Sequence, residues 1–533
     1  MTPSPGKRNL WCGIAASVSA LLLWAAYPPH GETFAILVAL VPMLVVARLA
    51  SPRRSALFFF LFGLAFWVLT LSWMPAIIKN NGPWPLVLLG WFALSAACAG
   101  YFAAFGFLAA RLWRWRDRRG AFALASVACI FGEAALWTLV EYLRATLFTG
   151  FAWNFLGTAF ASMPSFASPA RFGGVYLVSA LVVLLNGVFA TLLMRVFAPV
   201  LGIADRPDAV RSSELEAEEE PARWGQRALP GRLVQIAETG LPLAFILACL
   251  CVGSRMVRGE ASRTARAPAY LRVALVQRNA PCLFRPGRRE NAYEAFGRLL
   301  DAVAAAKPDV VVLAESAMSE FGAVRSFRAQ DVARGFLDRA GAKVLIAGGD
   351  DVVDGRTFNA VALYARDGEA GAGPLDVYHK QHLVPFGEYI PFDKWITPLQ
   401  KLSPVGVSLH PGEPGVFTVR AGDGEGATPL HVAPLICYED TDPRLAARAK
   451  RMGADLIVLV TNDSWFSNSA EAEAHAAQAV LRAIETGLPI VRVGNSGVTG
   501  VIRPDGSATW LSDSAGRPLV DAPGVMVETV AVR

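Results

Sequence analysis

At 533 residues the chain is too long for one ordinary domain, and 54% apolar against 18% charged residues excludes a largely disordered chain and argues against a purely cytosolic enzyme. The sequence pI is near 9.0, yet a net charge of +6 is thin over so large a surface, so no nucleic-acid partner is implied. The seven cysteines form no CxxC pair and no metal-ligand spacing, and Cys12, Cys98, Cys129, Cys249 and Cys251 lie in apolar runs where a thiol packs as a small hydrophobe.

Up to about residue 257 the chain reads as apolar runs of bilayer-crossing length, near 10–27, 33–50, 56–76, 85–112, 121–142, 172–200 and 240–257. The first follows Lys7 and Arg8 like a signal peptide, but Tyr27-Pro28-Pro29 is a poor cleavage site and further spans follow at once, so it reads as an uncleaved first span. Arg48, Arg53 and Arg54 follow the second run, and Arg111, Arg114, Arg116, Arg118 and Arg119 the fourth, whereas 28–32 has no Lys or Arg and 77–84 only Lys79. Basic loops resist translocation, which puts the N-terminus inside and, after seven spans, everything beyond 257 outside. At the outer end of the fifth run, Glu141-Tyr142-Leu143-Arg144 and Leu147–Trp153 read either as an interfacial anchor with Arg144 snorkelling or as a lipid-headgroup or substrate contact. The stretch 204–232, acidic around Glu214–Glu220, reads as a solvated cytoplasmic linker.

From Leu271 the pattern changes. Short β-branched runs at 271–277, 310–314, 344–347, 360–364, 456–461 and 489–493 read as buried strands, alternating with amphipathic helices at 288–306 and 469–486. The expected organisation is a transmembrane domain of about seven helices over 1–257 and an extracytoplasmic α/β catalytic domain over 258–533. No GxGxxG or GxxxxGK[ST] loop is present, so a nucleotide fold has no support.

Chemistry-bearing residues sit at the strand ends. Glu315 closes Val310-Val311-Val312-Leu313-Ala314, Lys380 lies in the polar and aromatic segment Tyr378–Tyr389, and Cys437 follows Pro434-Leu435-Ile436. Taken singly each has an ordinary explanation: a solvated Glu, a surface Lys, a core Cys. Together, in this order and these contexts, and with Thr461-Asn462-Asp463-Ser464-Trp465-Phe466 and Leu481–Gly487, they resemble the nitrilase superfamily. Leu383-Val384-Pro385-Phe386-Gly387-Glu388-Tyr389, joined to a multi-span N-terminal half carrying Leu147-Phe148-Thr149-Gly150-Phe151, is similar to its membrane-embedded branch, the apolipoprotein N-acyltransferases.

The resemblance implies a multi-span α-helical domain followed by an αββα sandwich. It also implies acyl transfer from a phospholipid, in the family the sn-1 chain of phosphatidylethanolamine, through a thioester on Cys437 to the α-amine of an S-diacylglyceryl-cysteine lipoprotein, with no cofactor and no metal. Cys437 would be the nucleophile, Glu315 the general base and Lys380 the oxyanion partner, helped by a backbone N–H beside Cys437. Glu388 maps as a second acidic residue, and Tyr438, Glu439, Tyr389, Trp465 and Arg144 as supporting or substrate-binding positions. His379, His382 and His475 are expected to be hydrogen-bonding or surface residues. Leu313-Ala314 stand before Glu315 where the family has a bulky residue and Pro, Phe284 replaces a family Trp, and no eighth apolar run follows the outer half, by absence or by truncation. The rival reading is a membrane-tethered amidase hydrolysing a small amide, and a second rival is a transporter or sensor with a degenerate outer domain.

Overall fold

The computed structural model describes residues 5–118, 124–201, 231–264, 266, 269–281, 290–366, 374–391, 408–421 and 428–532. The chain divides into two units, Met1–Ser72 with Leu88–Ser254, and Trp73–Val87 with Arg255–Arg533. The expected linker at 204–232, up to residue 230, and Phe284 lie outside the described residues.

The first unit is helical: α1 (Pro5–Ala25), α2 (Val41–Leu49), α3 (Pro52–Thr70), α4 (Trp84–Arg118), α5 (Ala125–Thr146), the single turn α6 (Pro164–Ala167), α7 (Ala170–Leu201) and α8 (Gly231–Thr264). Among the described residues six of these, α1, α3, α4, α5, α7 and α8, are long and apolar enough to cross a membrane, one fewer than the hydropathy runs suggested. The run at 33–50 is a 3₁₀ turn, Thr33–Leu37, followed by the nine-residue α2. Hydropathy registers apolar length and is blind to a break in the hydrogen-bond ladder. Asn186 of α7 satisfies that break: its Oδ1 accepts from Leu40 N–H at 2.9 Å and its Nδ2 donates to the Ile36 carbonyl at 3.0 Å. Broken backbone at membrane depth persists only where protein supplies such partners. The segment still traverses the bundle, because Thr33 bonds the Ala159 carbonyl at one end and Arg114 reaches the Ala50 carbonyl at the other.

Two further readings change. Arg48 is not a solvated loop charge: buried, it pairs with Glu133 at 2.7 Å, donates to Thr191 at 2.9 Å and stacks over Trp113 at 4.3 Å. The run at 56–76 stops being α-helix at Thr70, and Trp73–Val87 belongs to the second unit. Close packing of α3 on α4 needs Gly106, where a Cβ would stand 2.5 Å from the Phe59 ring, and it lets Ser55 Oγ donate to the Gly106 carbonyl at 2.7 Å.

The second unit stacks two six-stranded sheets. Its strands are β1 (Ala269–Gln277), β2 (Val310–Leu313), β3 (Val344–Val353), β4 (Arg356–Ala365), β5 (Asp376–His379), β6 (Phe417–Ala421), β7 (Thr428–Ile436), β8 (Leu456–Thr461), β9 (Ile490–Gly494), β10 (Gly500–Ile502), β11 (Ala508–Trp510) and β12 (Gly524–Val532). The sheet orders are β12-β1-β2-β3-β4-β5 and β11-β10-β9-β8-β7-β6. The helices are α9 (Ala292–Ala304), α10 (Phe327–Ala340), α11 (Pro443–Arg451) and α12 (Glu471–Thr486). Leu271, Val273, Val312 and Val361 of one sheet meet Val432, Val458 and Val491 of the other, while Val276, Leu313 and Leu345 face Phe296 and Leu300 of α9 and Phe336 of α10. Each such buried side chain contributes roughly 1.5–3 kcal/mol, and strands buried on both faces read as continuous apolar runs, which is why they were visible in the sequence. With α11 and α12 on the second sheet this is the expected αββα sandwich. β1, β2 and β3 run parallel, as do β7, β8 and β9, so β2 delivers Glu315 and β7 delivers Cys437 at their carboxyl ends.

Candidate active site

Glu315, two residues past β2, is buried at 8% exposure. β3 runs past it, with Gly348 against its Cα and Asp350 opposite Asn359 in the antiparallel β3–β4 register, and β4 carries β5 so that Ala360 stands opposite His379. Lys380, the next residue, is locked by its N–H to the Asn359 carbonyl at 2.8 Å and by its own carbonyl to Gly412 N–H at 2.8 Å. Three chain-distant residues therefore reach one point through pairing alone.

Their side chains form a closed set. Lys380 Nζ lies 2.9 Å from Glu388 Oε1 and 3.7 Å from Glu315 Oε1. Asn359 Nδ2 uses both hydrogens, one to Glu315 Oε1 at 2.7 Å and one to Glu388 Oε1 at 2.6 Å. The other Glu388 oxygen accepts from Val384 N–H at 2.8 Å, folding the Val384–Glu388 turn onto the site. One ammonium and one amide thus hold two carboxylates that would otherwise repel.

Burial works against the Lys380 charge, but Glu388, Glu315 and Cys437 outweigh it and its pKa is raised, so the ammonium persists. Burial raises Glu315 above the usual carboxylate range; Lys380 opposes this and Glu388 reinforces it. Burial also pushes the Cys437 thiol well up, with Glu315 adding to the rise and Lys380 opposing it. Cys437 therefore rests as a thiol, beside a carboxylate whose proton affinity is raised.

Cys437 opens a short 3₁₀ turn at the end of β7 with φ 51°, in the left-handed region. Ser316 (φ 60°) and Phe386 (φ 62°) share that conformation, which costs a residue with a Cβ about 1–2 kcal/mol. Strain of this kind collects where surrounding structure over-determines a functional geometry, and here it flanks Glu315, Glu388 and Cys437.

Glu439 is fully buried. Its carboxylate accepts from Gln381 N–H at 2.6 Å, His382 N–H at 3.2 Å, Ile436 N–H at 2.8 Å and the Tyr378 hydroxyl at 2.9 and 3.0 Å. It clamps the Lys380 loop to the strand that ends in Cys437. Burial raises its pKa to about 7, with the Ile436 N–H, the Lys380 charge and the Gln381 N–H restraining the rise. Tyr438 is half-buried, edge-on to His382 at 5.5 Å. Tyr389 closes the Glu388 turn, its carbonyl accepting from Phe386 N–H at 2.7 Å. Trp465 offers its carbonyl to Asn80 Nδ2 at 2.9 Å; Asn80 also reaches the Ser464 carbonyl, and Trp73 packs edge-on against Phe466 at 4.7 Å.

Arg144 behaves differently from the expectation of a snorkelling anchor. It lies in the first unit, buried, donating to the Phe151 and Trp153 carbonyls at 2.6 and 2.7 Å and stacked over Trp67 at 4.9 Å. It ties the 151–153 backbone into the helices.

Sequence reasoning gave no role to Asn359, Asp440 or Arg492, and quoted Thr461 and Asp463 only as part of the resemblance; His475, expected to be a hydrogen-bonding or surface residue, is hydrogen-bonded. Facing the site and being buried are set by strand pairing, so these residues carried no local signal in the sequence. Donor atoms of Cys437, Asp463 and His475 lie within 4.8 Å of one another. As a metal set they are poorly matched, because His475 already bonds Asp463 through Nδ1 and Asp440 through Nε2, each at 3.0 Å. Burial disfavours the imidazolium, but Asp440 and Asp463 prevail over burial and over Arg492 and raise it to about 10, so the ring is a cation near neutral pH.

A strained thiol, a buried carboxylate and a buried ammonium at the rim of an αββα sandwich, in a chain with six long apolar helices among its described residues, define a membrane-bound enzyme of the carbon–nitrogen hydrolase type. Residues 19–188 match the family described as apolipoprotein N-acyltransferase N-terminal domain, and residues 272–524 match carbon-nitrogen hydrolase. The apolipoprotein N-acyltransferase of Allorhizobium ampelinum is 30% identical over 466 residues, covering 84% of this chain and 76% of that protein. That of Geobacter metallireducens is 28% identical over 498 residues, covering 92% of this chain and 84% of that protein. An amidase from Nesterenkonia sp. is similar at TM-score 0.35 and 18% identity, covering 49% of this chain and 91% of that chain; at that score it carries no weight for the fold, which stands on the strand order above. The chain belongs to the apolipoprotein N-acyltransferase family. Its activity is lipoprotein N-acylation in a membrane, and the small-amide hydrolase is not favoured.

Proposed function

We propose that the second unit transfers an acyl chain from a membrane phospholipid to Cys437 as a thioester, and then to the N-terminal α-amine of an S-diacylglyceryl-cysteine apolipoprotein. Glu315 takes the thiol proton as the sulfur attacks the ester carbonyl, and the oxyanion forms beside Lys380. The adduct collapses with C–O cleavage, and Glu315 returns the proton to the departing lysophospholipid oxygen. The acceptor amine then attacks the thioester; Glu315 takes a proton from its nitrogen, the C–S bond breaks, and the leaving sulfur recovers that proton. Lys380 neutralises both adducts without ever titrating.

The observation that carries this reading is the Glu315–Asn359–Glu388–Lys380 set beside a neutral, strained thiol. Such a thiol needs a base during attack, and the buried cation stands where negative charge develops. The apolar first unit fits substrates whose chains stay in lipid, since each CH₂ drawn into water costs roughly 0.8 kcal/mol. We place the second unit on the outer face of a bacterial inner membrane. Lys7, Arg8, Arg53, Arg54 and the Arg111–Arg116 group suit the cytoplasmic side. Six long helices plus the traversing segment Thr33–Leu49 make an odd number of crossings.

Incubation of the purified protein with phosphatidylethanolamine should add one acyl mass to the Cys437 peptide, and a diacylated lipopeptide should then remove it and gain it. A Cys437→Ser variant that turns over at the parent rate, or acyl mass appearing elsewhere, defeats the mechanism. Labelling of second-unit residues in intact cells by a membrane-impermeant reagent tests the sidedness; labelling only after lysis reverses it.

A further inference from the structure

Behind Cys437 lies a second group of buried polar side chains that the acyl-transfer steps do not use. Thr461, at the end of β8, is fully buried; its single hydroxyl hydrogen goes to Asp463 Oδ1 at 2.8 Å, and it can turn to the Cys437 sulfur once that sulfur ionises. Asp463 Oδ1 also meets His475 Nδ1 at 3.0 Å, and Asp463 Oδ2 meets Arg492 at 3.2 Å. On its far side His475 bonds Asp440 Oδ1 at 3.0 Å, and Asp440 belongs to the 3₁₀ turn that begins with Cys437. Arg492 reaches Asp440 Oδ2 at 3.5 Å and donates to the Val498 carbonyl at 3.1 Å. The network is therefore a ring: sulfur, Thr461, Asp463, His475, Asp440, and back through the backbone to the sulfur.

Packing leaves this ring no slack. His475, Asp440 and Arg492 are at most 2% exposed. A Cβ at position 497 would stand 1.7 Å from Asp463 Oδ2, so a glycine there is what admits the carboxylate. The charges of Asp440 and Asp463 stand against those of His475 and Arg492, with Glu471 on α12 facing His475 at 3.6 Å, its carboxyl pushed well up by burial. Cancellation matters because a buried unpaired charge costs several kcal/mol. It also means that removing Asp463 or His475 leaves the other's charge uncompensated within 4.8 Å of the nucleophile.

We propose that Thr461, Asp463, His475, Asp440 and Arg492 form a positioning network that holds the Cys437 turn and, through a fixed positive charge on His475 within 4.8 Å of the sulfur, sets the reactivity of the thiol. The sulfur is faced by Glu315 from beyond β2, Lys380 from beyond β5, Thr461 from β8 and Asp463 from the turn after it. His475 is faced by Glu471 from its own helix, Asp440 from the nucleophile turn, Asp463 from the turn after β8 and Arg492 from β9. Glu315 and Lys380 act on the substrate side of the sulfur; the network acts from the protein side and touches no substrate, so its members are positioning residues.

The proposal rests on Cys437 being the nucleophile, and its test needs no acyl transfer. The rate of iodoacetamide alkylation of the Cys437 peptide in the full-length, detergent-solubilised protein is followed by mass against pH. His475→Gln removes the positive charge and should move the alkylation profile to higher pH by about one unit, roughly a tenfold loss of rate at neutral pH. Asp463→Asn removes the negative charge and should move it the other way, and the double variant should return towards the parent. Thr461→Val, nearly isosteric and set within a strand, should slow alkylation about threefold, and Thr461→Ser should restore it, a comparison that survives even if a charge variant does not fold. A purely structural role would shift His475→Gln and Asp463→Asn in the same direction. That result, or a Thr461→Val profile identical to the parent's, overturns the proposal. Loss of acyl-enzyme formation in a parent whose variants still shift as described would remove the acyl-transfer reading and leave this one standing.

Discussion

Asn359→Leu isolates the amide that holds the two carboxylates. The parent Nδ2 gives one hydrogen to Glu315 at 2.7 Å and the other to Glu388 at 2.6 Å, and a hydrogen bond to a charged group contributes roughly 1.5–3 kcal/mol. Leucine keeps the branched shape and donates nothing. Lys380 is then the one cation between both oxygens, and it already sits nearer Glu388 than Glu315. Glu315, whose pKa burial and the Glu388 charge already raise against the pull of Lys380, loses the hydrogen bond that favours its ionised form. Two consequences follow. Acylation of Cys437 should slow by about 100-fold, from a loss near 3 kcal/mol at 1.36 kcal/mol per decade, and the acidic limb of its pH profile should move upward because more Glu315 is protonated. Asn359→Asp sharpens the test: protonated, it donates one hydrogen and recovers part of the rate at low pH, while ionised it adds a third carboxylate and recovers none. Single-turnover acyl-enzyme mass with phosphatidylethanolamine vesicles measures all three proteins. An Asn359→Leu rate close to the parent's with an unmoved acidic limb would refute the assignment of Glu315 as base held by this amide.

Gly348→Ala should cost about 100-fold in acylation, since its Cβ would stand 2.6 Å from Glu315 Cα and 2.8 Å from the Ala314 carbonyl, and backbone must move by the order of 1 Å to accommodate it; a parent-like rate would show that the Glu315 strand end has room. Glu439→Gln should lower acylation by loosening the Lys380 loop, and it also changes how stability responds to pH. The Glu439 pKa lies at about 7 folded against 4.5 unfolded, so between those values the folded state holds a proton that the unfolded state has released. Stability therefore falls as pH rises through that window, by about 3 kcal/mol, and levels off above it. The lead of the parent over Glu439→Gln in thermal midpoint should shrink across that range, and a gap that widens with pH contradicts the sign.

How much of this was legible in the sequence depends on where each residue gets its meaning. Glu315 and Cys437 announce themselves because buried strands such as Val310–Leu313 and Pro434-Leu435-Ile436 end at a polar atom, and an apolar run that stops abruptly is a local signal. Asn359 carries no such signal. It stands inside the strand Arg356–Ala365, and it reaches Glu315 only because β4 pairs with β3 in the register that sets Asp350 opposite it. His475 is equally silent: on α12 it is one polar residue among alanines, and its cationic character comes from Asp440 and Asp463, which are 35 and 12 residues away. The membrane half shows the same limit, since the apolar content of 33–50 was plain while its break, mended by Asn186 some 146 residues later, was not.

That division has a physical origin with a consequence for substitution. The three groups proposed to react are fixed by strand ends, which the apolar pattern determines and which many apolar sequences could supply. Their protonation states are fixed by buried partners contributed from other strands and helices: Asn359 and Glu388 for Glu315 and Lys380, Thr461 and Asp463 for Cys437. Changes in the strands' apolar residues should therefore register first as lost stability with an unmoved pH profile. Changes among the buried partners should register first as a displaced pH profile, because in low dielectric a single uncompensated charge alters a neighbour's proton affinity more than it alters packing. The same thiol, carboxylate and ammonium would be chemically ordinary on a surface, where each group titrates near its usual value; enclosure with counted charges is what keeps the sulfur neutral at rest, the carboxylate receptive and the ammonium charged.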